Sequence, residues 1–214
     1  MFKNDFPNNP DHVFIAPPTF YSRGMMHEDK EGNLILNYLL AQWIPGMRVR
    51  DGPFILKRGQ NDIFIPAFVN DNHWSLLLVK GQWKTIFYYD SMWHPANGRK
   101  LLKATLHVLM EMIGKYWQEG SDRTEIAPWL LDFDPEQWKL VDLGKAVSQQ
   151  PNGNDCGVYV LYFIFVTMFL SPRHYHVIKP GKNSMNGFRR KLARMLFDRT
   201  VDMKDFGLSQ FLAL

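Results

Sequence analysis

One cysteine, Cys156, is all that this chain of 214 residues contains. An internal disulfide is therefore excluded, and so is a zinc site built on several thiolates. Such scarcity fits a reducing cytoplasmic or nuclear compartment, or delivery into a host cell by a bacterium. Long apolar runs are scarce as well. The longest, at 158–170, falls well short of the roughly 20 residues that cross a bilayer as a helix. The amino-terminal MFKNDFPNNPDH lacks the charged start and apolar centre of a secretory signal, so no membrane association is expected. Spaced metal ligands are missing too. His174 and His176 form only an H-x-H pair, and neither a metal nor another cofactor is expected.

What is present suffices for one sizeable core, because 46% of the residues are hydrophobic and 14% aromatic. Without repeats, low-complexity tracts or a linker, a single domain over 1–214 is expected, with a polar, flexible lead-in at 1–12. The net charge is +4, and its densest basic cluster is Arg189, Arg190, Lys191 and Arg194. These lie on a predicted amphipathic helix, MNGFRRKLARMLFDRTV, whose Phe188, Leu192, Met195, Leu196 and Arg199 form the inward stripe. The cluster then reads as a solvated face, and no nucleic-acid partner is expected.

Along the chain, 13–16 reads as a short strand and LILNYLLAQWI at 34–44 as a core helix ending at Pro45-Gly46. IFIPAFV at 63–69 reads as a strand with Pro66 at an edge or bulge. HWSLLLV at 73–79 and WKTIFYYD at 83–90 form the clearest hairpin. A two-residue Gly81-Gln82 loop pairs His73 with Asp90, Leu76 with Phe87 and Leu77 with Ile86, and so predicts a central strand covered on both faces. A covering helix follows at 99–117 with Leu102, Leu106, Leu109, Met110 and Ile113 inward, then a polar loop at 121–137 and a strand at 138–144. The implied fold class is α+β, a mixed or antiparallel central sheet flanked by helices.

Cys156 stands where the last apolar run begins, at a predicted helix start. Free backbone N–H groups and the positive end of the helix dipole favour a thiolate there. A lone cysteine at such a place is by itself more often a small buried apolar residue than a nucleophile. Partners decide between the two. A thiol enzyme needs a base, a group that orients the base and donors for an oxyanion. His73 offers the base, Asp90 the orienting carboxylate, and Gln150, six residues before Cys156, an amide donor. The backbone N–H of Cys156 is a second donor, and the turn formers Pro151, Asn152, Gly153 and Asn154 let the amide fold back over the thiol.

These motifs, His73-Trp74 opening a strand, Asp90-Ser91 ending the next, and QQPNGNDCG at 149–157, resemble those of the SUMO-specific proteases. That family comprises cysteine peptidases that process ubiquitin-like proteins and are related in fold to the adenovirus protease. The resemblance covers roughly 63–170, keeps the order His, Asp, Gln, Cys, and includes the seventeen-residue interval from His73 to Asp90. It implies a papain-like architecture of the ubiquitin-like protease type. Cys156 would attack the carbonyl of a modifier's carboxy-terminal glycine, His73 would move the proton, Asp90 would hold the imidazole and Gln150 would line the oxyanion hole. Trp74 would wall a tunnel too narrow for any tail but Gly-Gly, or pack as a core aromatic facing Tyr89.

One feature of the family is missing. Where it carries Trp-Leu-Asn-Asp, this chain reads HEDKEGNLILNY, with no tryptophan for the second tunnel wall. SUMO, another modifier and ubiquitin all remain open as the partner. The long interval between Asp90 and Cys156 implies an insertion near 118–137. The resulting expectation is a monomeric thiol isopeptidase acting in deconjugation or precursor processing. The alternatives are an acyltransferase of the YopJ type, which usually carries Glu in place of Asp90, and a non-catalytic module that binds ubiquitin-like proteins.

Overall fold

Alternating aliphatic and aromatic side chains over 62–89 give a sheet with two apolar faces, and each face needs a cover. The computed structural model describes residues 13–16, 26–28, 30, 34–36, 61–69, 72–118, 127–169 and 182–198. Its main sheet holds β1 (Val13–Ile15), β4 (Asp62–Val69), β5 (His73–Lys80), β6 (Thr85–Tyr89) and β7 (Lys139–Asp142), in the order β1-β4-β5-β6-β7. The two outer pairings, β1 with β4 and β6 with β7, are parallel, and the two inner ones are antiparallel. The sheet is mixed, as expected, and β5 is its central strand. Pro66 lies beyond the reach of β1, which pairs only with Asp62, Ile63 and Phe64. Among the described residues that edge is unpaired there, where a residue without an N–H does least harm.

Both covers form. On one face, Ile65, Leu77, Val79, Ile86 and Tyr88 pack with Leu101, Leu102 and Leu109 of α1 (Pro95–Gln118), and with Trp129 and Trp138. On the other, Phe64, Leu76, Leu78 and Tyr89 pack with Tyr159, Val160, Phe163 and Val166 of α3 (Cys156–Phe169). Outside α3 lies α4 (Lys182–Asp198), which contributes Met185 and Phe188. Met110, expected inward on α1, is instead exposed, while Leu101, Ala104 and Thr105 are buried.

Four expectations are corrected. Residues 34–36 form β3 (Leu34–Leu36), antiparallel to β2 (Met26–Glu28), rather than the start of a helix. An apolar run this short fits either period, and the partner strand decides; 37–44 lie outside the described residues. The hairpin loop has four residues, not two: Lys80 pairs with Thr85 across a helical turn at Gly81–Trp83 and a left-handed Lys84 with φ 48°. Leu76 and Leu77 therefore pair with Tyr89 and Tyr88, two residues from the expected register, and a shift of two keeps every side chain on its face. Third, α1 begins at Pro95, which as the first helical residue has no N–H to leave unpaired. The Asn97-Gly98 pair, a turn signal in sequence, stays helical. A Cβ at Gly98 would sit 2.3 Å from Asp142 and 2.8 Å from the Tyr88 ring, so only glycine allows the helix to lie this close to the sheet.

Last, the described part of 121–137 is no open loop. It holds α2 (Pro128–Leu131) and a turn at Pro135–Gln137. Trp129 packs against Trp138, with ring centroids 5.6 Å apart, and covers the hairpin turn. A Cβ at Gly81 would lie 2.2 Å from the Trp129 ring. Gly81→Ala is expected to lower stability by about 1–3 kcal/mol through overpacking. Gly153→Ala, with nothing within 4 Å, should change it by less than about 0.5 kcal/mol. Urea midpoints of the two variants check this, and equal midpoints would mean the loop moves off Trp129 without cost.

Candidate active site

His73 opens β5 and Asp90 follows β6 directly. Continuing the observed register puts Ser75, not His73, opposite Asp90, and His73 is the diagonal neighbour on the same face. An imidazole spans that diagonal: His73 Nε2 lies 2.7 Å from Asp90 Oδ1. Both residues are buried, Asp90 completely. An ionised carboxylate only accepts, so Nε2 carries the hydrogen and Nδ1 is left with its lone pair. Nδ1 has no hydrogen-bond partner among the described residues.

The carboxylate is held from three sides. Besides the imidazole, Asp90 Oδ1 accepts from the Met92 N–H at 2.8 Å, and Oδ2 accepts from the Tyr88 hydroxyl at 2.8 Å. Burial pushes the Asp90 carboxyl up, but the bonds from His73, Met92 and Tyr88 outweigh it and leave the group below its ordinary value. Burial, then the charge of Asp90, pushes the Tyr88 hydroxyl well above its ordinary range, so Tyr88 remains a donor.

Cys156 is the first residue of α3 and is buried. By strand alternation His73 shares the α1 side of the sheet with Leu77 and Val79, whereas α3 covers the opposite side. Cys156 and His73 thus come from different layers, and no hydrogen bond joins them among the described residues. Trp74 marks the junction. A Cβ on Gly157 would touch its Cδ1 at 3.9 Å, and its ring packs on Phe68, with centroids 4.8 Å apart. It does not face Tyr89, which pairs with Leu76. Half-buried between β4 and the start of α3, Trp74 is a core contact that lies against Gly157.

Gln150 reaches the same corner. Its N–H donates to the Ser91 carbonyl at 2.8 Å, and its Oε1 accepts from the Ser91 hydroxyl at 2.6 Å. With the oxygen so engaged, Nε2 turns toward the loop before Cys156 and donates to the Asn152 carbonyl. An amide nitrogen has two hydrogens, and this bond uses one of them.

Several contributors were not singled out in the sequence. Tyr88 had a visible signal, since it stands two residues before Asp90 and so shares its face. Gln149 had none: it donates to the carbonyls of Asp90, at 3.0 Å, and Val147, at 3.2 Å, and accepts from the Trp93 N–H at 3.1 Å. These bonds fasten the segment after Asp90 to the segment before Cys156. Arg189, assigned to a solvated face, instead pairs with the buried Asp155. The inward stripe of α4 is narrow, and an arginine at its margin reaches past Phe188 to the α3 start.

The fold defines a class, the α+β proteins in which a buried His–Asp pair lies at the end of the sheet and a covering helix starts on a cysteine. Within it, the chain belongs to the Ulp1 protease family, since the model of that family's C-terminal catalytic domain matches residues 41–202. It is 37% identical over 98 residues to ubiquitin-like-specific protease 1 of Saccharomyces cerevisiae, a match covering 46% of this chain and 13% of that protein. It is 26% identical over 102 residues to the putative ubiquitin-like-specific protease 1B of Arabidopsis thaliana, covering 48% and 26%. The matched stretches thus span about a quarter or less of these relatives. Among solved structures, the SUMO protease Ulp1 with its catalytic cysteine oxidised to a sulfonic acid overlays with a TM-score of 0.47 at 22% identity, over 80% of this chain and 65% of that one. The Xanthomonas campestris effector XopD bound to ubiquitin gives 0.47 at 19% identity, over 89% and 81%.

Because the folded Asp90 carboxyl lies below the ordinary value of 3.8, the unfolded chain takes up the proton first as pH falls. The stabilisation from this network is complete above that ordinary value and is lost as pH drops through the lower folded one. Tyr88→Phe removes one lowering bond and should cost about 1.5–3 kcal/mol at neutral pH. The gap between wild type and variant should narrow below the ordinary carboxylate range. Melting temperatures at pH 7 and pH 3 test this, and a gap independent of pH would place the Tyr88 effect in packing alone.

Proposed function

We propose that this chain is a cysteine isopeptidase that cleaves after the carboxy-terminal Gly-Gly of a ubiquitin-like modifier, SUMO before other modifiers or ubiquitin. The observation that carries this is the His73–Asp90 bond, which leaves Nδ1 as the free base at the end of the sheet where the Cys156 helix starts. Membership of the Ulp1 protease family supports the substrate class.

The proposed reaction has an acylation and a hydrolysis stage. His73 Nδ1 takes the Cys156 proton, and the thiolate, stabilised by the helix dipole, attacks the glycine carbonyl. The oxyanion sits between the Cys156 N–H and the Gln150 amide, both fixed before substrate arrives. Protonated His73, its new charge faced by Asp90, gives its proton to the leaving lysine amine. A water activated by the same nitrogen then hydrolyses the thioester. Trp74 walls the approach to the thiol, where a Gly-Gly tail passes and a bulkier one does not. Deconjugation in the cytoplasm or nucleus, or in a host cell entered by a bacterial effector, is the setting proposed for this activity.

Probes built on SUMO paralogues, ubiquitin and other modifiers with a carboxy-terminal vinyl sulfone or propargyl group test the reading. Labelling by a modifier probe, lost in Cys156→Ala, is the expected result. Labelling by none would move the reading to acyl transfer. Gln150→Ala should lower kcat by about 10²–10³, and a loss below about threefold would remove Gln150 from the oxyanion site.

A further inference from the structure

Asp155 stands in the position that usually caps a helix. Its carbonyl accepts the first helical bond, from the Tyr159 N–H at 3.0 Å. An aspartate there ordinarily turns its carboxylate onto the second or third N–H of the helix, here Gly157 or Val158. Asp155 does not. One carboxylate oxygen, Oδ1, pairs with the Arg189 guanidinium, and the other, Oδ2, accepts from Asn152 Nδ2 at 3.0 Å. No side chain among the described residues caps the first turn of α3. The carboxylate itself is buried, so it must be matched by donors wherever it lies.

We propose that Arg189 is a positioning residue for the reaction centre. It draws the Asp155 carboxylate away from the start of α3 and so keeps the Cys156 N–H and the positive end of the helix dipole free for thiolate and oxyanion. The inference rests on reading Cys156 as the nucleophile. Without Arg189, Oδ1 loses its partner while Asn152 still holds Oδ2, and the N–H groups of the first turn are the donors that an aspartate in this position ordinarily takes. A capping carboxylate there would offset the dipole and face two developing negative charges, on sulfur and on oxygen. The anchor for Arg189 is its neighbour Phe188, whose ring meets Tyr162 of α3 edge-on with centroids 5.3 Å apart. The docking of α4 on α3 therefore aims the guanidinium at the helix start.

The charge argument makes a prediction that a merely structural ion pair does not. Arg189→Ala should lower kcat by about tenfold or more while KM changes less than about threefold, and should slow alkylation of Cys156 by iodoacetamide at pH 7. Cys156 is the only cysteine, so that rate is unambiguous. Asp155→Asn keeps the bonding shape without the charge, so it should cost less than Arg189→Ala. Added to Arg189→Ala, it should recover most of both rates. If the pair is only structural, Asp155→Asn harms as much as Arg189→Ala and the double variant is no better than either, which overturns the proposal. Should Arg189→Ala fail to fold, Arg189→Gln, which keeps the stem and its packing, carries the same comparison. If wild type reacts with no modifier probe but the alkylation pattern holds, the functional reading fails and the role of Arg189 stands.

Discussion

A carboxylate with no exposure to water has to be matched by donors, and Asp90 at the end of β6 is matched by an imidazole, a phenol and a backbone N–H. Much of the local layout follows from that requirement. His73 is held with its Nε2 committed to the carboxylate, while its Nδ1 has no partner among the described residues. Tyr88 is confined between the carboxylate and α1. The turn after Asp90 is fixed by the Met92 N–H, and Gln149 and Gln150 bond to the backbone of Asp90, Ser91 and Trp93. A buried charge thus ties the hairpin to the loop that carries the nucleophile.

The sheet serves the site by keeping two layers apart until its end. The α1 layer holds His73, Tyr88 and Asp90, and the α3 layer holds Cys156 and Trp74. Neither layer has a complete centre. Both meet where β5 begins and α3 starts, and the close-packed sheet between them fixes their relative height. Packing of this density is stiff, so an error of one residue in the hairpin or one turn in α3 would shift the His73 end of β5 against the start of α3. The shift of two residues from the expected register was harmless because parity was kept.

Charge at the start of α3 is arranged with the same economy. Free N–H groups and the dipole favour anions there, and the one acidic side chain next to Cys156 is turned aside by Arg189 and Asn152. Helix α4, which looks in sequence like a basic surface element, thus reaches the start of α3 through the Arg189–Asp155 pair.

By itself the sequence determined the elements with strong periodicity or sharp punctuation. The β5–β6 hairpin, α1, the Cys156 helix and α4 were legible because alternation and helical spacing are local properties. His73, Asp90, Gln150 and Cys156 were legible as candidates because their chemistry is rare and their motifs compact. Only the tertiary structure decided that LIL at 34–36 is a strand, since three apolar residues fit either period until a partner pairs with them. It also decided the hairpin loop, where Trp129 from a distant segment packs over Gly81, and the inward turn of Arg189, which depends on a helix docked from elsewhere in the chain. Contacts between residues far apart in sequence leave no periodic trace, so the fold alone assigns Gln149 and Arg189 their roles.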